Sequence, residues 1–145
     1  MFLEGLFCRG SLPVLEKVMS FTEARHEVLV NNVSNFDTVG YQMRDLPLEE
    51  FFSALQKAVK NRDRGGTGAP LKLPSTRHLR WDKNGRLYAQ PERIPENNIL
   101  FHDENNRFVE KQMSELGQNA LLHSLATELL RGQYNSLQTA IRGRL

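Results

Sequence analysis

A chain of 145 residues, 39% of them hydrophobic and 25% charged, is ordinary soluble-protein material, enough for one domain or a small domain with long arms. The formal net charge of +2 is too small to point to nucleic acid or an anionic membrane, and no stretch approaches the ~20 apolar residues of a membrane span. Cys8 has no second cysteine to pair with, which excludes an internal disulfide and leaves a small apolar residue in an arm.

The opening run Met1-Phe2-Leu3-Glu4-Gly5-Leu6-Phe7 is apolar, but Glu4 stands where a secretory signal carries basic charge, and the run is short. No cleaved signal is expected, and the residues by themselves read as cytosolic. Ser11 offers an N-cap and Pro13 falls in the first turn, where its missing N–H costs little. Val14, Leu15, Val18, Phe21, Thr22, Arg25, Val28, Leu29 and Asn32 then recur at helical spacing. That stripe predicts an amphipathic helix over residues 11–35, about 36 Å long.

The helix runs into Asn31-Asn32-Val33-Ser34-Asn35-Phe36-Asp37-Thr38-Val39-Gly40-Tyr41. Asn and Asp side chains bond nearby backbone and compete with helix, so the stretch is a stop signal. Gly40 can take positive φ without steric cost, which predicts a reversal of the chain there, with Tyr41 as an aromatic that pins the returning strand.

After the turn, Arg44-Asp45-Leu46-Pro47 leads into a second helix over about residues 46–60, with Leu48, Phe51, Phe52, Leu55, Ala58 and Val59 on its apolar face. Glu49 and Glu50 at its start and Lys57 and Lys60 at its end suit the helix dipole. Residues 61–70 read as loop, because Gly65, Gly66, Gly68 and Pro70 will not hold a regular element. Beyond them come short β-like runs: Leu71–Leu73, His78–Trp81, Arg86–Ala89 and Ile99–Phe101. Asp82-Lys83-Asn84-Gly85-Arg86 predicts a hairpin turn between two of these, with Trp81 as the expected anchor. Pro91 and Pro95 break the stretch beyond the hairpin.

Asp103-Glu104-Asn105-Asn106 caps the last element. From there Val109, Met113, Leu116, Ala120, His123, Thr127, Leu130, Tyr134, Leu137 and Ile141 repeat in a heptad-like pattern, flanked by Leu122, Leu125, Ala126, Leu129 and Ala140. The pattern predicts a helix over about residues 107–142, roughly 54 Å long, and helices of that length belong to coiled coils or arrays. The expected fold is mainly α: long N- and C-terminal helices in a coiled-coil-like bundle around a small irregular β-containing middle lobe. Its parts are residues 1–40, 41–102 and 103–145, the last packing against the first.

The stretch from Asn31 to Tyr41 resembles the signature of the bacterial flagellar axial proteins of the rod and hook, which runs roughly Asn-Asn-(Leu/Ile)-Ala-Asn-x-(Asn/Asp)-Thr-Pro-Gly-Tyr. Asn31, Asn32, Asn35, Asp37, Thr38, Gly40 and Tyr41 match it, while Ser34 replaces Ala and Val39 replaces Pro. The likeness extends to Leu12–Leu29, to Tyr41–Leu46 and to Thr76-Arg77-His78-Leu79, and narrows to the proximal-rod members of the family. It includes a block from Asp103 to Met113 that resembles Asp-Gly-Asn-Asn-Val-Asp-Leu-Glu-x-Glu-Met, with Glu104, Arg107, Phe108 and Gln112 as departures. Residues 61–98 otherwise carry almost none of it.

The resemblance implies a rod subunit in the periplasm, exported without a cleaved signal by the flagellar type III apparatus. Its implied partners are other copies of itself, other rod proteins, the membrane ring, and the adaptor that joins rod to ring. Val109, Met113, Leu116, Ala120, Leu130, Tyr134, Leu137 and Ile141 are then the expected assembly row.

Signals for chemistry are weak. His26, His78, His102 and His123 show no metal-ligand spacing, and His102-Asp103-Glu104 are adjacent loop residues that rarely converge on one ion. Glu49-Glu50 is better read as a pair of dipole partners than as a general acid and base. The arginines of the middle are interleaved with acids and carry no nucleic-acid recognition motif. No cofactor and no catalytic residue is expected. The favoured reading is a non-enzymatic structural subunit. The alternative is a soluble helical adaptor or chaperone that binds partner helices through its C-terminal helix, and a more remote one is a cell-wall hydrolase without a visible catalytic pair. A filament subunit would leave both helical stripes free for neighbours, whereas an adaptor would cover one internally.

Overall fold

The structure, a computed structural model, describes residues 10–65, 69–95 and 109–143. Helix α1 spans Leu12–Ser34, with Ser11 at its N-cap position and Pro13 in its first turn. Ser11 serves through its carbonyl, which accepts the Leu15 N–H at 2.9 Å; its hydroxyl makes no cap bond. At the other end Asn35 closes the helix twice over. Its N–H (3.1 Å) and its side-chain Nδ2 (2.8 Å) both donate to the Asn31 carbonyl, one of the acceptors a helix end leaves unpaired. The stripe read from the sequence is the face that is buried: Val18, Phe21, Thr22, Arg25, Leu29 and Asn32, together with Leu12.

The chain returns through a two-residue strand β1 (Arg44–Asp45) and enters α2 (Leu48–Arg64). The second helix outlasts the expected end at residue 60 by a full turn. Asn61, Arg62, Asp63 and Arg64 are polar but helix-compatible, and cations in a last turn favour the helix dipole. Arg62 also donates to the Gly10 carbonyl at 3.2 Å, and the helix stops only at Gly65, whose N–H bonds the carbonyls of Asn61 and Arg62.

Strands β2 (Leu79–Trp81) and β3 (Leu87–Ala89) form the expected hairpin, in register Leu79↔Ala89 and Trp81↔Leu87. Gly85 adopts φ 79°, and the Asp82 carboxylate accepts the N–H groups of Asn84 and Arg86, so the turn is wired from within. Leu71–Leu73 forms no strand, although Leu73 is buried in the core. A strand β4 (Glu92–Arg93), where the sequence suggests only a proline-broken stretch, pairs antiparallel with β1. Pro91 and Pro95 flank its two residues rather than interrupt them, which is where a residue lacking N–H is tolerated in a ladder. The expected run Ile99–Phe101, His102-Asp103-Glu104, Cys8 and the cap block Asp103–Asn106 lie outside the described residues.

The core lies where α1, α2 and the hairpin meet. Phe21 and Phe51 stack with ring centroids 4.1 Å apart and planes 5° from parallel, surrounded by Val18, Leu46, Leu55, Ala58, Leu73 and Leu79. Helix α3 (Val109–Ile141), roughly 50 Å long, runs antiparallel to α1 along the same buried stripe, and its Ala126 reaches the core. The molecule is mainly helical, with long terminal helices and a small two-sheet region in the middle. Among the described residues no helix is long and apolar enough to cross a membrane.

Candidate functional site

The motif at the end of α1 is built around Asn32, whose side chain is fully buried. Its Oδ1 accepts the Arg44 N–H at 3.1 Å while its Nδ2 donates to the Arg44 carbonyl at 2.6 Å. One amide thus pairs with both backbone groups of a single residue, as a neighbouring strand would, and fixes β1 against α1. The same Nδ2 donates to Gln112 Oε1 on α3 at 2.7 Å, and the Tyr41 hydroxyl donates to Oδ1 at 3.2 Å. Burial raises the Tyr41 pKa, with Arg44 pulling the other way, so that hydroxyl stays a donor.

The other motif residues shape the reversal. The Thr38 N–H donates to the Asn35 carbonyl and the Tyr41 N–H to the Thr38 carbonyl. Gly40 sits at the third position of the second turn with φ 75°, the corner that a type II turn reserves for glycine. Val39 takes the preceding corner, where proline is favoured, and is exposed at the tip of the turn. Asn31 and Asp37 are exposed, and Asn31 enters the motif through its carbonyl.

Two turns toward the start of α1, Arg25 is buried between two acids. Its Nε and Nη2 donate to the two Asp45 oxygens at 2.9 and 2.7 Å, and Nη2 also donates to Glu115 Oε2 on α3 at 2.7 Å. Burial works against the guanidinium charge, but bonds and charges from Asp45 and Glu115 outweigh it and raise its pKa above the usual value. One turn further, the Thr22 hydroxyl donates to the Met19 carbonyl at 2.9 Å, so its oxygen accepts the Nδ1–H of His123 at 2.9 Å. Asn119 donates to the Thr22 carbonyl at 2.8 Å. Helices α1 and α3 therefore meet along a polar seam in three layers: Asn32–Gln112, Arg25–Glu115, and Thr22 with Asn119 and His123.

That seam decides which face of α3 turns inward. The expected assembly row divides. Leu137 is buried, Val109, Leu116 and Leu130 are half-buried, and Met113, Ala120, Tyr134 and Ile141 are exposed. Gln112, Glu115 and Asn119, which no apolar repeat would select, take the inner face instead. The outer face carries Leu121, Leu125 and Leu129 at four-residue spacing, 74%, 57% and 51% exposed. Gly117 and Gly132 continue this row at either end, and a Cβ on either would meet open space.

The hairpin is held to α1 by Lys17, whose Nζ lies 4.2 Å from the centre of the Trp81 ring and donates to the Gly85 carbonyl at 2.9 Å. Burial lowers the Lys17 pKa against the pull of Glu16 and Asp82. His78 Nδ1 lies 2.8 Å from Glu50 and its Nε2 3.6 Å from Glu92, which ties α2, β2 and β4 together. The Thr76 hydroxyl and then His78 hold the Glu50 carboxyl below its usual range. Among the described residues no group of three His, Cys, Asp or Glu side chains is placed to hold a metal ion.

Paired antiparallel helices, locked in register along a polar seam and apolar along an outer face of α3, define a helical protein of the kind that packs on further helices, and the motif that closes α1 is the stretch that resembles the flagellar axial signature. No family model matches the chain. It is 30% identical over 129 residues to the flagellar basal body rod protein FlgB of Aquifex aeolicus (strain VF5), covering 89% of this chain and 90% of that protein. It is 29% identical over 135 residues to FlgB of Escherichia coli (strain K12), covering 92% and 94%. To FlgB of Bacillus subtilis (strain 168) it is 23% identical over 141 residues, covering 92% and 95%. The chain belongs to the FlgB family of flagellar basal body rod proteins.

Proposed function

We propose that the chain is a non-enzymatic subunit of the proximal rod, which assembles with copies of itself and with other rod proteins. In this role it links the membrane ring, through the adaptor between ring and rod, to the distal rod and hook. It reaches the periplasm through the flagellar type III export apparatus. The observation that carries this reading is the Leu121–Leu125–Leu129 row. It is an apolar helix face of the kind that packs on a neighbouring helix, left open because α3 spends its polar face on α1.

A second reading keeps support from the same geometry. The stripe of α1 and one face of α3 are covered within the chain, which is what an adaptor or chaperone would show. Such a protein would use the outer row to bind a single partner helix without polymerising.

The test is Leu125→Asp in cells that lack the native copy. Leu125 is exposed in the single chain, so the substitution should leave far-UV circular dichroism and Trp81 fluorescence unchanged. Against a neighbouring helix it would bury an unpaired carboxylate at a cost of several kcal/mol, and the cells should not swim. Leu137 is a poorer probe because it is already buried within the chain. Normal swimming with Leu125→Asp would overturn the assembly role of this face.

A further inference from the structure

We propose that the hairpin of one copy docks, through Arg77, Arg80 and Lys83, on the acidic outer stripe of α1 in a second copy. Charge in this chain is segregated. Residues 69–95 hold six basic residues and only two acids, a net +4 in a chain of net +2, so the rest of the chain is net negative. Along β2 the positive charge forms a row: Arg77 just before the strand, Arg80 within it and Lys83 just after it, all exposed. Arg80 stands opposite Tyr88, which is 55% exposed, so an aromatic surface flanks the row.

The complementary surface is on α1. Glu16, Glu23 and Glu27 are exposed at intervals of seven and four residues, which puts them on one face, opposite the buried stripe of Val18, Arg25 and Asn32. With Ser20, Glu23 and Glu27 line one wall of an open groove of about 600 Å³, whose other wall is the hairpin turn from Asp82 to Leu87. Among the described residues none of the three acids and none of the three cations takes part in a salt bridge, and Arg86 on the rim of the groove pairs with neither glutamate. The two rows face apart within one chain. Trp81 and Leu87, on the other face of the hairpin from Arg80 and Tyr88, pack toward the core and toward Lys17 of α1. Arg80 therefore points away from the helix that carries the acids. Their lengths agree: residues 77–83 span at most about 20 Å of extended chain, and residues 16–27 about 16 Å of helix. Guanidinium groups take carboxylates in paired bonds, and a second copy offers a carboxylate row of matching length with its face open. Two different patches joined in this way repeat from chain to chain, giving a ring or an open helix. The proposal rests on the reading of a subunit that meets its own copies and names a contact through which they meet.

The test is association in solution, with every chain carrying Leu125→Asp so that the outer row contributes nothing. Exposed ion pairs are individually weak and are screened by salt, so the chain should form a ladder of oligomers in sedimentation at high concentration and about 0.1 M salt. The ladder should collapse to monomer at about 1 M, where the screening length falls from about 10 Å to about 3 Å. Arg77→Glu with Arg80→Glu leaves both surfaces negative, and Glu23→Lys with Glu27→Lys leaves both positive. Each double variant alone should be monomeric, and an equal mixture of the two should restore the ladder. Lys57→Glu with Lys60→Glu, on exposed positions of α2, makes the same change in net charge as the hairpin variant and should associate like the parent. Far-UV circular dichroism and Trp81 fluorescence check that each exposed substitution leaves the fold intact. A parent that stays monomeric at low salt, a ladder indifferent to salt, a mixture that stays monomeric, or an α2 variant as defective as the hairpin variant would each overturn the proposal. None of these results bears on the Leu121–Leu125–Leu129 row, whose own test is swimming.

Discussion

Replacement of Asn32 by alanine should be the most damaging single change in the motif, and its size can be worked out bond by bond. The substitution removes two acceptor bonds, from the Arg44 N–H and the Tyr41 hydroxyl, and two donor bonds, to the Arg44 carbonyl and to Gln112. The net loss of each made bond is modest, but Gln112 is buried and Arg44 presents its backbone toward a site that was fully closed. Leaving two such groups unsatisfied, at about 1–3 kcal/mol each, gives roughly 2–6 kcal/mol, a large part of a typical domain's stability. Tyr41→Phe deletes one 3.2 Å bond and should cost about 0.5–1.5 kcal/mol. Asn31→Ala, one residue away on the exposed side, should stay within about 0.5 kcal/mol of the parent. Urea unfolding followed by circular dichroism and Trp81 fluorescence gives all three values. If Asn32→Ala and Asn31→Ala cost the same, the clamp is not what holds β1 and α3 to α1.

Gly40→Val should cost about 1–2 kcal/mol in the same assay; its new Cβ meets open space, so the whole effect comes from φ 75°, and a neutral result would deny the turn. Glu50 has a folded-state pKa below its usual 4.5, so its contribution is present above pH 4.5 and is lost as pH falls through the lower folded value. Glu50→Gln should flatten the acid limb of stability against pH, and an unchanged limb would remove Glu50 from the account. Ala126→Leu should overpack the contact of α3 with the core and cost about 1–3 kcal/mol, read as faster hydrogen exchange in α3 than in α1.

The parts legible in the sequence are those where apolar periodicity and turn chemistry decide the outcome. The stripe on α1 marks the right face because Phe21 and Leu29 are large and regularly spaced, and Asn84-Gly85 marks the hairpin because its turn needs positive φ. The Gly40 reversal is legible for the same reason. Helix α3 is legible in type and extent but not in orientation. A repeat that counts leucines cannot see that Gln112, Glu115 and Asn119 face inward. The signal is on the other helix: Thr22, Arg25 and Asn32 lie on the buried stripe of α1, and buried polar groups demand polar partners. The β1–β4 pairing has no sequence signal, since two residues show no alternation and flanking prolines argue against strand. A loop reading from residue 61 ends α2 too early, because charge alone does not stop a helix and nothing in Asn61–Arg64 does so before Gly65.

Helix α3 divides its two tasks between two faces, and the division has a physical logic. Apolar surface attracts any apolar surface, so it supplies affinity without choosing a register. Hydrogen-bonded layers choose a register but add little net affinity, because each bond replaces one to water. A helix that packed on α1 through leucines could slide or turn to present another row. With Gln112, Glu115 and His123 bonded to partners spaced along α1, a shift by a single residue breaks every layer at once. The orientation of Leu121, Leu125 and Leu129 toward the outside is therefore set by the polar seam on the opposite side of the same helix. Any subunit that must offer its outer face at a repeatable angle gains from having that angle fixed by bonds that tolerate only one alignment.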